Sequence, residues 1–149
     1  MRRRLALVLL LGACAKAPAL PEVTIPLRNP TAPVASQADA SAARLRGDWV
    51  VVQGAGLAPG TRLRFSGSAM ALDGVVLPMT AQGAGRFEVA GQPLWVHWLD
   101  ADNRTAALGD PGGARVWIMD RRGTPGERLR AAREILAWYG YDLRRMAGD

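Results

Sequence analysis

Cysteine and histidine are almost absent from this sequence, which contains one of each, Cys14 and His97. A single cysteine cannot close a disulfide within the chain, so we expect the folded part to contain none. Zinc sites draw most of their ligands from cysteine and histidine, and this chain cannot supply such a set. The composition therefore predicts neither a disulfide framework nor a metal site.

Catalytic signatures are missing as well. No serine lies in the setting of a nucleophile elbow, and Gly54–Gly56 is not followed by the helix of a dinucleotide-binding loop. The segment Asp100–Asn103 lacks the glycine and the closing glutamate of a calcium loop. A lone histidine in a strand, such as His97, is usually a core or rim residue. We expect no catalytic residue, no cofactor and no enzyme activity; a hydrolase that pairs His97 with a nearby nucleophile is the weakest alternative.

Basic residues outnumber acidic ones, but Lys16 is the sole lysine and the arginines are scattered among apolar residues. The formal net charge falls from +6 to +3 if Arg2–Arg4 are removed with a leader. Nucleic-acid binding needs basic side chains clustered on one face, with aromatic residues among them. Nucleic acid is therefore not an expected partner.

The apolar run Leu5–Leu11 is far shorter than the roughly 20 residues of a membrane-spanning helix, and it has the length of a signal-peptide core. It leads into Leu11-Gly12-Ala13-Cys14, which resembles the bacterial lipobox. The resemblance implies that residues 1–13 are a cleaved signal peptide and that the thiol of Cys14 receives a diacylglycerol. An ordinary secretory signal is the alternative.

Two or three acyl chains on Cys14 would form a strong membrane anchor. Ala15 stands where an aspartate usually signals retention in the inner membrane of enteric bacteria, which favours the outer membrane with the domain facing the periplasm. Residues 14–43 are rich in alanine and proline and predict a tether whose later part lies extended on the folded domain, residues 44–149.

From Arg44 to Asp120 the apolar residues show no helical period and fall into short runs separated by turn signals. Asp73-Gly74 is the strongest hairpin signal. Consecutive strands with tight turns predict an antiparallel up-and-down meander, and closure into a barrel would remove its edge strands. The predicted strands are 49–53, 62–65, 75–80, 86–89, 94–99, 105–108 and 115–119.

One amphipathic helix is predicted over residues 125–139. Thr124-Pro125-Gly126-Glu127 has the pattern of a capping box, and Gly140 is a good residue to follow the last turn. Its apolar stripe must be buried on the outside of the sheet. We therefore predict an all-β fold, an up-and-down barrel of about eight strands with one C-terminal helix packed outside. The stripe consists of Leu129, Ala132, Ile135, Leu136 and Tyr139.

The segments Gly47-Asp48-Trp49, Trp95–Thr105 and Val116–Arg121 follow one another along the chain. Over about residues 27–146, motifs in this order resemble those of the lipocalin family. Gly47-Asp48-Trp49 matches the family's G-x-W, Trp95–Thr105 resembles the segment of its second motif, and Val116–Arg121 resembles its W-I-L-x-R. With the lipobox and the C-terminal helix, they resemble a bacterial lipocalin lipoprotein with a shortened barrel. The resemblance implies that Trp49 closes the narrow end of the barrel, that Gly47 lets the chain cross beneath it, and that Arg121 lies across the indole.

The inner wall of such a barrel suits an acyl chain or another elongated apolar molecule. The first hypothesis is an envelope lipoprotein that binds a lipid or fatty-acid-like ligand for storage, transport or membrane maintenance. The alternative is a degenerate lipocalin with a filled barrel, a structural or protein-interaction module with an apolar patch at the barrel mouth or on Trp95 and Trp98. Neither hypothesis specifies an oligomeric state. The residues expected to line the ligand site are Val51, Gln53, Leu63, Phe65, Phe87, Val89, Trp117 and Met119.

Overall fold

The computed structural model describes residues 16–148, so the predicted signal peptide and the lipidation site Cys14 lie outside the described residues. The described chain forms eight β-strands, two α-helices and one short 3₁₀ helix, Leu143–Arg145. Among these residues, no helix combines the length and the apolar character needed to cross a membrane.

The eight strands form one closed antiparallel barrel, because each pairs with its neighbours in sequence and the first also pairs with the last. The predicted fold class, an up-and-down barrel with a C-terminal helix packed outside, is confirmed. The strands are β1 (Gly47–Ala55), β2 (Arg62–Phe65), β3 (Ala69–Leu72), β4 (Val75–Gly83), β5 (Arg86–Val89), β6 (Gln92–Leu99), β7 (Thr105–Gly109) and β8 (Val116–Asp120).

The connections between strands alternate between the two ends of the barrel, because the strands run alternately up and down. We call the end with the β1–β2, β3–β4, β5–β6 and β7–β8 connections the upper end. The lower end holds the other three connections, and there the chain enters β1 through the short helix α1 (Ala42–Leu45).

The strand β3 is missing from the sequence prediction. Its sequence, Ala-Met-Ala-Leu, contains two alanines, which are depleted in strands. Its position follows from the predicted hairpin turn, in which Asp73 and Gly74 both have positive φ angles, of 46° and 84°. Positive φ at both central residues is what a tight type I′ turn requires, so this turn joins β3 to β4.

The C-terminal helix α2 (Arg128–Trp138) begins three residues later than predicted, and the predicted capping box does not form. Gly126 has a φ angle of 62°, which lies outside the right-handed helical region, so the helix cannot extend back through it. The N–H of Thr124 donates instead to the carboxylate of Asp120, at 3.1 Å. The turn before the helix is therefore fixed to the end of β8.

The predicted apolar stripe of α2 does pack against the outside of the barrel. Ala132 and Leu136 are fully buried, in a cluster that includes Ile118 of β8. Gly140, with a φ angle of 85°, follows the last turn as predicted, and the Tyr141 N–H donates to the Leu136 carbonyl.

The Ala/Pro-rich N-terminal segment packs on the barrel from Leu20 onwards. The N–H of Val23 donates to the carbonyl of Ala114 at 2.9 Å, and the N–H of Gln37 donates to the carbonyl of Val96 at 2.8 Å. The segment therefore runs from the β7–β8 connection at the upper end, past β6, to α1 at the lower end. More of it belongs to the folded domain than the sequence suggests, because backbone hydrogen bonds hold it and these leave no side-chain pattern.

Candidate functional site

The barrel interior is the candidate ligand site, and seven of the eight residues expected to line it belong to one buried cluster there. They lie on β1, β2, β5 and β8. These residues are Val51, Leu63, Phe65, Phe87, Val89, Trp117 and Met119.

Gln53 is the exception, because its side chain lies outside the barrel. Its Oε1 accepts a hydrogen bond from Nη1 of Arg133 in α2 at 2.6 Å, and its Nε2 donates to the carbonyl of Gly148 at 3.3 Å. A bulge shifts the β1–β8 pairing by one residue between Val51 and Gln53, and this reverses the alternation beyond Val51. The predicted place of Gln53 on the inner wall is therefore wrong, and Gly54 faces the interior instead.

The interior of the barrel is filled by its own side chains. Each of the seven lining residues exposes 2% or less of its surface. A cavity large enough for an acyl chain would leave accessible surface on the side chains around it, even if the cavity were closed to the outside. In this conformation the wall therefore encloses no space for such a ligand.

Several residues outside the predicted set contribute to this packing. Leu77 and Met79 of β4, and Leu94 and Val96 of β6, belong to the same cluster. Their alternation along each strand is a signal that could have identified them from the sequence. Met70 lies on β3, the strand that the sequence prediction misses.

Two leucines close the upper end of the barrel. Leu57 comes from the β1–β2 connection and Leu20 from the N-terminal segment, and both are part of the interior cluster. The connection folds into the barrel mouth beside Gly54, where a Cβ atom would collide with the carbonyl oxygen of Leu57. Leu20 is held in place by its neighbour, because Nε of Arg115 donates to the carbonyl of Pro21 at 2.8 Å.

A buried ion pair lies beneath this part of the N-terminal segment. The side chain of Arg115 is fully buried, and its Nη1 lies 3.1 Å from the carboxylate of Asp110. Glu22 of the segment lies 3.8 Å from Nη2. Burial lowers the pKa of Arg115, and the two carboxylates oppose that shift. Asp110 and Arg115 both belong to the β7–β8 connection, so their ion pair stabilises that connection. Arg115 in turn holds the segment through the carbonyl of Pro21 and the charge of Glu22.

The barrel interior contains one polar side-chain atom without a hydrogen-bond partner in the part of the chain that the structure describes. Nε1 of Trp117 is buried, and no acceptor among the described residues lies within hydrogen-bond distance of it. A buried donor without a partner costs about 1–3 kcal/mol. The indole N–H is therefore the atom of the interior best suited to meet an oxygen of a water or a ligand.

At the lower end, the guanidinium of Arg121 stacks on the indole of Trp49, with its central carbon 3.8 Å from the ring centroid. Arg121 also donates to the backbone carbonyls of Arg44, Arg46 and Asn103. Burial lowers the pKa of Arg121, yet the guanidinium keeps its charge because its ordinary pKa is so high. The stack and the carbonyl contacts together cover the base of the barrel.

Gly47 allows the guanidinium of Arg121 to lie this close to the backbone at the start of β1. Its φ angle is 105°, which strains any other residue, and a Cβ atom there would lie 3.0 Å from Nη1 of Arg121. The indole N–H of Trp49 donates to the carbonyl of Leu45 at 2.7 Å, so the ring is fixed from both sides.

His97 lies at the bulge in β6, outside the barrel interior, and is buried under the N-terminal and C-terminal segments. Its Nδ1 lies 2.6 Å from the carbonyl of Ala35, and its Nε2 lies 2.8 Å from the hydroxyl of Tyr141. Burial lowers the pKa of His97 to about 4 and raises the pKa of Tyr141. His97 therefore joins both termini to the barrel and faces a hydroxyl that resists ionisation.

The outer surface carries a groove of about 500 Å³ along α2, lined by Leu129, Ala137 and Leu143 with Arg130 and Arg133 at its sides. Trp95 and Trp98, the predicted apolar patch, are partly buried. Arg86 covers the ring of Trp95, and Trp98 packs against the cluster under α2. The large apolar side chains most exposed in the described chain are Ile25, Val75, Val76 and Trp138.

No protein-family model matches this chain. No sufficiently similar protein was found among the curated proteins either. The fold itself defines a class: an eight-stranded antiparallel up-and-down barrel with one external C-terminal helix, which is consistent with a lipocalin-like architecture.

Proposed function

We propose that this protein is a lipocalin-like lipoprotein of the bacterial envelope that acts through its outer surface, as a structural or protein-interaction module. This is the second of the two hypotheses raised by the sequence, a degenerate lipocalin whose own side chains fill the barrel. Lipid storage or transport inside the barrel is the second candidate. We further propose that it carries no catalytic activity and needs no cofactor.

The filled interior carries this proposal. Phe65, Phe87 and Trp117 occupy the volume that a ligand would need, and none of them exposes more than 2% of its surface. Burial of a large side chain stabilises a fold by about 1.5–3 kcal/mol, so displacing several of them for a ligand would be costly. A barrel packed in this way acts as a rigid scaffold for its surface.

The lipocalin resemblance gains support from the geometry at the base of the barrel. The family leads us to expect Arg121 across the ring of Trp49 and a glycine where the chain crosses beneath, and the contacts described above have this form. These contacts are local, and the proposal of family membership rests on them together with strand order and the position of α2.

Ligand uptake is the measurement that separates the two candidates. The delipidated protein is titrated with a fluorescent fatty acid, and palmitate and a lysophospholipid are tested as competitors. For a filled barrel we expect no saturable binding. Stoichiometric, displaceable binding by the native chain would overturn the proposal and favour the lipid carrier.

The variant Phe87→Ala is the positive control, because it removes a large side chain from the middle of the packed wall. A dry cavity lined by apolar side chains binds small apolar molecules. The variant is therefore expected to bind a small aromatic probe that the native chain does not bind. This comparison shows that the assay can detect an open interior.

The lipid-carrier candidate is favoured by two observations. The N–H of Trp117 has no acceptor within residues 16–148. The upper end is closed by the β1–β2 connection and the N-terminal segment, whereas the wall of the barrel consists of paired strands. A ligand with an oxygen at its head could enter from above and accept from that N–H. Mass spectrometry of lipid that co-purifies with the native chain tests this candidate directly.

The envelope location is proposed from the sequence alone. Diacylglycerol on Cys14 would anchor the chain, and Ala15 favours the outer membrane, with the barrel in the periplasm. Mass spectrometry of the mature N-terminus is expected to show a lipidated residue 14. The variant Cys14→Ser is expected to leave the membrane fraction, whereas an unmodified native cysteine would contradict the anchor.

A further inference from the structure

The distance between the proposed anchor and the first docked residue is short. Leu20 is 4% exposed and packed in the interior cluster, and it lies six residues after Cys14. An extended chain covers at most about 3.3–3.6 Å per residue, so these six residues reach no further than roughly 20 Å. If Cys14 is lipidated, the docking point of Leu20 must lie within that distance of the membrane surface.

The docking point of Leu20 is at the upper end of the barrel. Leu20 lines the same shallow pocket as Gln92, which follows the β5–β6 connection, and the Val23 N–H contacts Ala114 in the β7–β8 connection. Both connections belong to the upper end. The contacts of Trp49 lie at the opposite end.

The upper end also carries exposed apolar side chains. Val75 and Val76 directly follow the β3–β4 turn, and they expose 50% and 65% of their surface. Asp73 in the turn is charged and exposed, whereas Val75 and Val76 form a contiguous apolar surface beside it. Contiguous exposed apolar surface is a feature of interaction sites. Exposed charges at this end are mixed in sign, with Lys16 and Arg62 positive and Glu22 and Asp73 negative, so the surface is suited to apolar contact more than to electrostatic attraction.

We propose that the upper end of the barrel rests on the phospholipid bilayer that holds the lipid anchor, with the β3–β4 hairpin at the membrane surface and the Trp49 end pointing away. This inference rests on the proposed lipidation of Cys14. The bilayer is the partner of this surface because the proposed anchor and the exposed valines lie at the same end of the barrel. The contact is expected to persist when the salt concentration is raised.

The test uses the full lipidated chain in phospholipid vesicles that contain a lipid with a nitroxide at its headgroup. In Val76→Cys, the added cysteine carries an environment-sensitive fluorophore. Ser68→Cys, in the β2–β3 connection at the lower end, is the matched control, since Ser68 is also exposed. We expect quenching to be several-fold stronger at position 76 than at position 68. Equal quenching, or stronger quenching at position 68, would overturn the orientation.

A second variant tests the short tether. About ten glycine and serine residues are inserted between Lys16 and Ala17, which are exposed and precede Leu20, the first buried residue of the described segment. The insertion is expected to reduce quenching at position 76, and unchanged quenching would refute the role of tether length. Mass spectrometry of residue 14 separates the two proposals: an unlipidated cysteine refutes the anchor, whereas a lipidated chain without preferential quenching refutes the orientation alone.

Discussion

His97 and Tyr141 share a buried hydrogen bond, with 2.8 Å between Nε2 and the hydroxyl oxygen, and each also contacts a backbone carbonyl. Nδ1 of His97 contacts Ala35, and the hydroxyl contacts Asp110 at 2.8 Å. A neutral imidazole and a hydroxyl bring two protons to these three contacts. A third proton, on the imidazole, would give each of the three contacts its own proton, but it would create a buried cation near Arg28. The cost of burying that charge is the larger effect, so the pKa of His97 is lowered.

The stability of the protein is therefore expected to fall as the pH drops below the ordinary pKa of histidine. The pKa of His97 is lowered from 6.5 to about 4 by burial. Between these two pH values the unfolded chain therefore binds a proton that the folded chain does not bind. Stability is fully present above pH 6.5 and is lost as the pH falls towards 4. Denaturant unfolding at pH 7.5 and 4.5 is expected to differ by about 2–3 kcal/mol.

The variant His97→Gln is the control, because it keeps hydrogen-bonding capacity at this position and removes the titration. His97 is the only histidine of the chain, so no other imidazole contributes to the window. The variant is expected to show a nearly flat stability over the same pH range. An equally steep loss in the variant would assign the effect to other groups.

The second prediction concerns the base of the barrel. Arg121→Ala removes the stack on Trp49 and the donors to three backbone carbonyls, so we expect the free energy of unfolding to fall by about 3 kcal/mol. Arg121→Lys is expected to recover less than half of this loss, because an ammonium group cannot stack and reach all three carbonyls. Denaturant unfolding measures both variants.

The neighbouring Arg122→Ala is the matched control, since Arg122 is exposed and its side chain forms no hydrogen bond with any of residues 16–148. It is expected to change stability by less than about 0.5 kcal/mol. If the two alanine variants were equally stable, the contacts of Arg121 would not contribute to the fold.

Strand periodicity and turn chemistry were enough to predict the barrel class, because both are local. The pattern around Leu63 and Phe65 and the turn at Asp73-Gly74 appear in the structure as expected. The position of Gln53 could not be predicted, because one extra residue in a bulge reverses the alternation and leaves no local signal. Whether a closed barrel is hollow depends on how side chains from all strands fit together, which no single strand reveals.

The start of α2 shows a second limit of local patterns. The sequence from Thr124 to Glu127 has the residues of a capping box, but the carboxylate of Asp120 takes the Thr124 N–H and Gly126 adopts a positive φ angle. A tertiary contact thus overrides a favourable local signal. The sequence pattern also underestimates how much of the N-terminal segment belongs to the folded domain. The reason is related, because the docking of this segment depends on backbone groups and on one buried leucine, Leu20.

The third prediction concerns that leucine. Leu20→Ala removes apolar contact at the upper end, so the segment beside it is expected to open more often. The amide of Val23, which donates to Ala114, is expected to exchange its hydrogen at least about tenfold faster, equivalent to roughly 1.4 kcal/mol of local stability. Pro18→Ala, at an exposed position, is the control variant. Unchanged exchange at Val23 would show that Leu20 does not hold the segment.

The fourth prediction tests how tightly the upper end is packed. Gly54 faces the interior, and the β1–β2 connection lies so close to it that a Cβ atom would collide with the Leu57 carbonyl. Gly54→Ala is therefore expected to destabilise the protein by about 1–3 kcal/mol, because overpacking displaces the connection. Gly67→Ala is the matched control: its nearest neighbour is the flexible side chain of Arg46, 3.9 Å from the added atom. The free energy of unfolding of Gly67→Ala is expected to change by less than about 0.5 kcal/mol. Equal stability of the two variants in denaturant unfolding would mean that the connection can leave the mouth freely, and this would favour a barrel that opens to a ligand.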